Sequence, residues 1–296
     1  MNNLSQLTVI ILTHKTNKKT LYDCISSIDS KTNILIVENS KLFNFEKEII
    51  EKFKNVEIHC SGANLGYGAG NNYGLLKTKT KYALILNPDV ICDANFFNNI
   101  TKYFNNDLDF SIIGISYYDG NEYDPAGFFN NKNLNEAKYI KNYNLREVDW
   151  VVGCGMLINL DKYKNKKIFD ENFFLFWEET DLCFRTINKN EKIFMSEDLK
   201  INHLGFKSSV VENELSLLKL RNWHYMWSFF YFHKKNFSYF KAFKKTFGRL
   251  IRSIIRVIFY SITLNKKNRV IYTYRFLGLI NSIFLKKSKY RINIDD

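Results

Sequence analysis

The sequence predicts an α/β fold: a Rossmann-like, mainly parallel sheet with helices on both faces, followed by a helical, basic extension. Three observations carry this reading. Short β-branched apolar runs alternate with stretches of helical spacing through the first 90 residues. Polar residues end those runs at their carboxyl sides. The charge balance changes abruptly near residue 230. The expected division is a ligand-binding domain at 1–220 and a helical, basic region at 221–296.

Residues 7–12 (LTVIIL) read as a buried strand, because a short apolar run this rich in β-branched side chains suits a sheet covered on both faces. The polar loop Thr13-His14-Lys15 follows. Residues 19–28 have helical spacing, with Leu21, Cys24, Ile25 and Ile28 on one face. Residues 33–37 (NILIV) form the second strand and stop at Glu38-Asn39-Ser40; 45–53 read as a helix and 56–59 as a third strand. A β-α-β-α-β order implies parallel strands with crossover helices. Ligands of such sheets sit outside the carboxyl ends of the strands, which is where Thr13 and Glu38 to Ser40 fall.

Residues 64–74 (NLGYGAGNNYG) come after the third strand. No Gly-Lys-Ser/Thr follows, which excludes a Walker loop, and GxGxGxxxG after a third strand is a poor dinucleotide fingerprint. Glycines there permit a turn or close approach to a ligand. Residues 82–86 (YALIL) form the next strand, ended by Asn87-Pro88-Asp89, since proline cannot continue a central ladder. An aspartate at that edge, facing a phosphate-bearing ligand, is a natural Mg²⁺ or Mn²⁺ ligand. Residues 115–149 read as loop-rich with a short hairpin, 150–160 (WVVGCGMLINL) as one strand and 193–195 as a short one.

Between them lies 169–185, FDENFFLFWEETDLCFR. Glu178, Glu179 and Asp181 follow Phe173, Phe174, Phe176 and Trp177. Burying a carboxylate costs several kcal/mol unless it is paired or used. Apolar walls also push its pKa upward, as a general base requires. The plainer reading is a helix N-terminus, where acids face the positive end of the dipole.

Composition bounds the rest. Apolar content of 46% is enough for a full core. The N-terminal residues show no signal-peptide pattern. Five scattered cysteines without a CxxC pair suit a reducing compartment and argue against a cysteine-rich zinc site. The net charge of +13 is carried by the tail: from Lys234 on there are 16 Lys/Arg against 2 Asp/Glu, and 27 against 28 before it. That asymmetry asks for an anionic partner. Residues 246–264 are amphipathic, with Arg249, Arg252 and Arg256 on one face and Leu250, Ile251, Ile254, Ile255, Ile258 and Phe259 on the other. Such a helix suits a membrane interface better than a membrane span. No nucleic-acid motif accompanies the charge, so no nucleic-acid partner is expected. The aromatic stretch near residue 230 suits a homodimer surface as well as a membrane one.

The ordered set ILTHKT, ILIVENS, NLGYGAGNNYG, LILNPDV, VVGCGMLI, FDENFFLFWEETDLCFR and NHLGFKSS resembles glycosyltransferase family 2, in its bacterial rhamnosyltransferase-like branch. The resemblance covers about residues 7–230. It implies a GT-A fold, a nucleotide-sugar donor (dTDP- or UDP-linked), a divalent metal (Mg²⁺ or Mn²⁺) and an inverting displacement. Thr13, Glu38, Asn39 and Asn64 match positions that hold the nucleotide, with Gly66, Asn71 and Asn87 beside them. Asp89 matches the last acid of the DxD-like motif and His203 a metal-bound histidine. Glu179 matches the base, with Glu178 and Asp181 as neighbouring acids. Trp150 and Trp177 are the expected acceptor-packing aromatics. Glu38 and Glu179 each stand where the family more commonly has Asp. The implied activity is transfer of a sugar, rhamnose first, to a lipid-linked or oligosaccharide cell-surface acceptor such as a lipopolysaccharide precursor, by an enzyme peripheral on the cytoplasmic face of the bacterial membrane. The alternatives are galactofuranosyl or other hexosyl transfer, or a nucleic-acid- or membrane-binding protein without catalysis.

Overall fold

A computed structural model describes residues 3–118, 122–123, 126–130, 132–203 and 214–291. The chain forms two compact units, Met1–Asp170 with Glu179–Val210, and Glu171–Glu178 with Val211–Asp296.

The first unit opens with β1 (Leu7–Thr13), α1 (Lys18–Ser26), β2 (Asn33–Glu38), α2 (Glu46–Lys52), β3 (Val56–Cys60), α3 (Tyr67–Lys77) and β4 (Tyr82–Leu86). Next come β5 (Val90–Cys92), α4 (Phe96–Ile100), β6 (Ile112–Tyr118), β7 (Glu122–Tyr123), β8 (Ala126–Gly127), β9 (Tyr139–Ile140), β10 (Leu145–Val148), β11 (Trp150–Val151) and β12 (Gly155–Asn159). It closes with α5 (Glu178–Ile187), whose first residue lies in the second unit, and β13 (Ile193–His203). Strands β3, β2, β1 and β4 lie side by side and parallel. Beyond β4 the sheet is mixed: β12 is antiparallel to both β4 and β6, and β13 runs parallel to β6.

Alternation along each strand makes two cores. Val9 and Ile11 face Leu21 and Ile25 of α1, Ile49 of α2 and Phe96 of α4. Ile10 faces the other way, with Leu75 of α3 and Leu182 of α5. The glycine-rich stretch serves this packing. A Cβ on Gly70 would lie 2.5 Å from Leu12, and one on Gly74 2.8 Å from Ile10. Gly66, at φ +87°, turns the chain into α3 with a backbone that L side chains rarely adopt.

Three stretches differ from expectation. Residues 150–160 are two strands in different sheets, because the chain turns at Gly153 and Cys154 and β11 pairs with β8 instead. The strand expected at 193–195 runs on to His203 through a bulge between Ser196 and Lys200. The region 115–149 holds the end of β6, a buried central strand, and pieces of two to four residues (β7–β10). The hairpin there is β6 with β7; Asp119, Gly120, Asp124 and Pro125 of its turn signals lie outside the described residues. So do Leu204 to Ser209 of NHLGFKSS.

The second unit contains α6 (Glu214–Asn236), α7 (Tyr239–Ile262) and α8 (Lys266–Ile283). Residues 171–178 pack aromatic side chains on α6: Phe173 meets Tyr231 at 4.9 Å and Trp177 meets Phe229 at 5.0 Å between ring centroids. Helix α8 approaches α6 at Gly278, where a Cβ would lie 2.1 Å from the Trp223 carbonyl oxygen. Residues 286–291 are tied to α6, as Trp227 Nε1 donates to the Lys286 carbonyl at 2.9 Å. No described helix is long and apolar enough to cross a membrane.

Candidate active site

The parallel strands end at one edge, and three constellations gather along that edge. The first is at the ends of β1 and β2. Thr13 Oγ1 donates to Glu38 Oε2 at 2.6 Å, and the Lys15 amide donates to Glu38 Oε1 at 3.4 Å. The Asn39 amide group is fully engaged. Its Nδ2 donates to Asn64 Oδ1 and the Gly66 carbonyl, while its Oδ1 accepts from the Leu65 amide and Ser61 Oγ. Thr13, Glu38 and Asn39 are all buried. They fasten the loops and leave the edge itself to exposed Asn64 and to His14. Asn64 Nδ2 donates to His14 Nε2 at 3.1 Å. Burial holds the His14 pKa below its ordinary value, partly offset by Glu38, which keeps the ring neutral and able to accept that bond. Sequence reasoning passed over His14, which only the fold brings to Asn64.

The second constellation is Asp89 and His203. The antiparallel β5–β13 ladder sets His203 opposite Val90, one residue from Asp89. Asp89 is 2% exposed, and its Oδ1 lies 3.5 Å from His203 Nε2. That oxygen has no hydrogen-bond partner among the described residues. A buried carboxylate oxygen with an open lone pair beside an imidazole nitrogen fits a divalent cation. No cluster of three or more His, Cys, Asp or Glu placed to hold a metal occurs among the described residues. The two side chains would therefore leave most of the shell to other oxygens, as Mg²⁺ sites completed by substrate phosphates do.

The third is the start of α5. Glu178 is buried and Glu179 half-buried. Burial raises the Glu179 pKa, against the lowering effect of the Glu179 and Thr180 backbone amides. Asp181 is spoken for differently: Arg185 Nε donates to it at 2.7 Å, and Arg185 Nη2 donates to the Ile168 carbonyl at 2.7 Å. Phe176 and Trp177, just before α5, have φ of +67° and +72°. Bulky residues in this region cost of order 1–3 kcal/mol each and persist only where surroundings over-determine them. Packing of Trp177 on Phe229, Phe232 and His233 does that here.

Cys154 connects the last two constellations. Its buried thiol is pushed up to about 12, first by burial and then by the Asp89 and Glu179 carboxylates. Both acids thus act on one side chain in the turn between β11 and β12. Asn72 was also missed by sequence reasoning: its side chain exchanges two hydrogen bonds with the backbone of Phe169, at 2.9 and 3.0 Å, and pins the start of the acidic segment. Asn71 is buried, with Nδ2 on the Tyr67 carbonyl, and Tyr67 in turn donates to the Gly153 carbonyl. Asn87 holds the edge through its amide, bonded to the Cys154 carbonyl at 3.1 Å. Trp150 covers Gly127, where a Cβ would come within 2.8 Å of the indole. Trp177 belongs to the helical unit and packs in its aromatic layer.

A parallel half-sheet continued by an antiparallel half, with Asp89 and an acid-bearing helix at the carboxyl edge, defines the GT-A architecture. The family model described as glycosyl transferase family 2 matches residues 8–168, and the chain belongs to that family. It is 29% identical over 207 residues to the low-salt glycan biosynthesis hexosyltransferase Agl10 of Haloferax volcanii, covering 64% of each chain. The match thus spans less than two thirds of that relative's length. It is 24% identical over 193 residues to rhamnosyltransferase WbbL of Escherichia coli K12, covering 58% of this chain and 72% of the other. Among solved structures it resembles the mannosyltransferase PcManGT of Pyrobaculum calidifontis in complex with GDP-Man and Mn²⁺. That likeness has a TM-score of 0.55 at 10% identity, over 95% of this chain and 88% of that one.

Proposed function

We propose that this chain is an inverting glycosyltransferase that moves a sugar from a nucleotide-diphosphate donor to a hydroxyl of a cell-surface glycan acceptor. The observation that carries the reading is the buried Asp89 oxygen, left open beside His203 at the sheet edge. A bound Mg²⁺ or Mn²⁺ would neutralise the charge that develops on the departing diphosphate. Asp89 and His203 would hold it. His14 and Asn64 would meet the nucleoside, over the scaffold of Thr13, Glu38 and Asn39. Glu179 takes the proton from the acceptor hydroxyl while its oxygen bonds to the anomeric carbon and the bond to the diphosphate breaks. A single displacement of this kind inverts the anomeric centre. Glu178 and Asp181 stand beside the base, and Arg185 bound to Asp181 steadies the helix that carries it.

The name of the Escherichia coli relative favours rhamnose; that of the Haloferax relative favours a hexose. The acceptor is read as a lipid-linked or oligosaccharide glycan, reached at the cytoplasmic face of the membrane, where the basic C-terminal helices hold the protein.

The test is a pair of variants. Glu179→Gln is expected to reduce transfer by at least ~10²-fold, the usual scale of a lost base, with donor affinity nearly unchanged. Asp89→Ala is expected to weaken donor binding in Mn²⁺ and to remove its dependence on the metal. Turnover retained in Glu179→Gln removes it from the role of base. Unchanged metal-dependent affinity in Asp89→Ala refutes the donor site.

A further inference from the structure

Helix α7 has three faces. The one turned inward carries small residues: Ala242, Thr246 and Ser253 are buried, and the two hydroxyls donate to the Ala242 and Arg249 carbonyls of the same helix. A second face carries Phe240, Phe247, Ile251, Ile254, Ile258 and Ile262 at helical spacing, all exposed, from 40% at Ile251 to 76% at Ile262. The third carries Lys245, Arg249, Arg252 and Arg256. An ordinary packed helix buries its large apolar stripe. Here the fully buried positions are small, Phe243 and Leu250 are half-buried beside them, and the six large residues of the second face point outward.

The charge is as lopsided. From Lys234 to Arg291 the chain has 16 Lys/Arg and no Asp or Glu. The Tyr239 hydroxyl donates to the Ile283 carbonyl at 3.2 Å, so the end of α8 lies beside the first turn of α7. That end exposes Phe284 and Leu285 and continues into Lys286 and Lys287. Apolar stripe and cationic flank are thus repeated on the adjoining element.

We propose that α7 is an in-plane anchor for an anionic phospholipid surface. Its Ile/Phe stripe enters the boundary between headgroups and acyl chains, and Arg252 and Arg256 meet the lipid phosphates. At 24 residues the helix is about 36 Å long, and it lies along the surface because its arginines rule out crossing. Charge complementarity selects this occupant: a second copy would set two acid-free basic faces against each other. The inference rests on the membrane part of the reading above and specifies the element, the face and the lipid chemistry.

The test uses the protein and sedimentation with vesicles of phosphatidylcholine alone or with about 30% phosphatidylglycerol, whose anionic headgroups attract basic segments. Binding to anionic vesicles is expected to exceed binding to neutral ones by at least ~10-fold, and to fall roughly 5-fold for each of Arg252→Gln and Arg256→Gln. Ile254→Glu with Ile258→Glu is expected to abolish it. Both positions are exposed, so the fold survives, which circular dichroism and a metal-dependent nucleotide thermal shift verify. That shift reads the donor site, so it separates failure of this inference from failure of the glycosyltransferase reading. Equal binding to both vesicle types, undiminished binding by the Ile254/Ile258 variant, or dimerisation in solution lost in that variant would each overturn the proposal.

Discussion

Glu179 is the residue we propose as the base, and its environment makes a signed prediction. Burial raises its pKa, so the folded protein holds this proton to a higher pH than a free glutamate does. The base form appears only above that raised value. The acid limb of kcat/KM is therefore expected above the ordinary glutamate value of 4.5. Glu178→Gln is expected to rescale the rate and keep an acid limb, whereas Glu179→Gln is expected to remove it. A limb at or below 4.5, measured in the presence of metal, would remove Glu179 from the role. The acids themselves were legible in sequence, because carboxylates next to four aromatic residues are costly unless used. Their division of labour was not. Asp181 and Arg185 are four apart, a spacing visible in sequence, but only the fold shows that Arg185 also reaches the Ile168 carbonyl. The left-handed Phe176 and Trp177 were invisible, since side-chain identity argues against that backbone and tertiary packing imposes it.

At the scale of elements, long apolar runs were read closely and short ones were not. Strands β1, β2 and β4 gave continuous apolar runs and β3 a short alternating one; β8, β9 and β11, at two residues each, have no period to read. Pairing across the sheet, which sets His203 opposite Val90, is likewise absent from local spacing. The strap at residues 286–291 is another long-range feature, and it too makes a prediction. Buried His224 donates from Nε2 to the Tyr290 carbonyl at 2.8 Å and accepts at Nδ1 from Ser288 Oγ at 3.0 Å. Burial lowers its pKa to about 3. The unfolded chain protonates this ring near 6.5 and the folded one does not. Its contribution to stability is thus present above pH 6.5 and is lost as pH falls from there toward 3. The unfolding free energy is expected to drop by about 1.4 kcal/mol per pH unit from this group over that window. His233, lowered the same way, adds to it. Urea titrations at pH 7 and pH 5 would show the difference, and His224→Gln would flatten it. An unchanged pH slope in that variant would mean that the ring is protonated in the fold.

Across the whole molecule, charge is segregated: residues 1–233 are nearly balanced and the excess lies beyond them. The proposed donor site therefore draws little on net charge and depends on a few placed groups. On the proposed reading, Asp89 and His203 would supply two ligands to a cation that prefers about six. Alone, the metal gains too little from two protein atoms to displace its water. Alone, a nucleoside diphosphate meets the buried Asp89 carboxylate, which repels it. Together, the cation would offset that repulsion, and each component would raise the affinity of the other by the same factor. The expected result is a thermal shift that needs both components. At ligand concentrations ~100-fold above Kd the stabilisation is about 2.7 kcal/mol, or roughly 5–10 °C for a unit of this size. Scanning dTDP, UDP, GDP and CDP, each with Mn²⁺, Mg²⁺ or EDTA, would identify the base that His14 and Asn64 accept. A shift that survives EDTA would show that the diphosphate is held without the metal. In that case the open Asp89 oxygen would need another explanation.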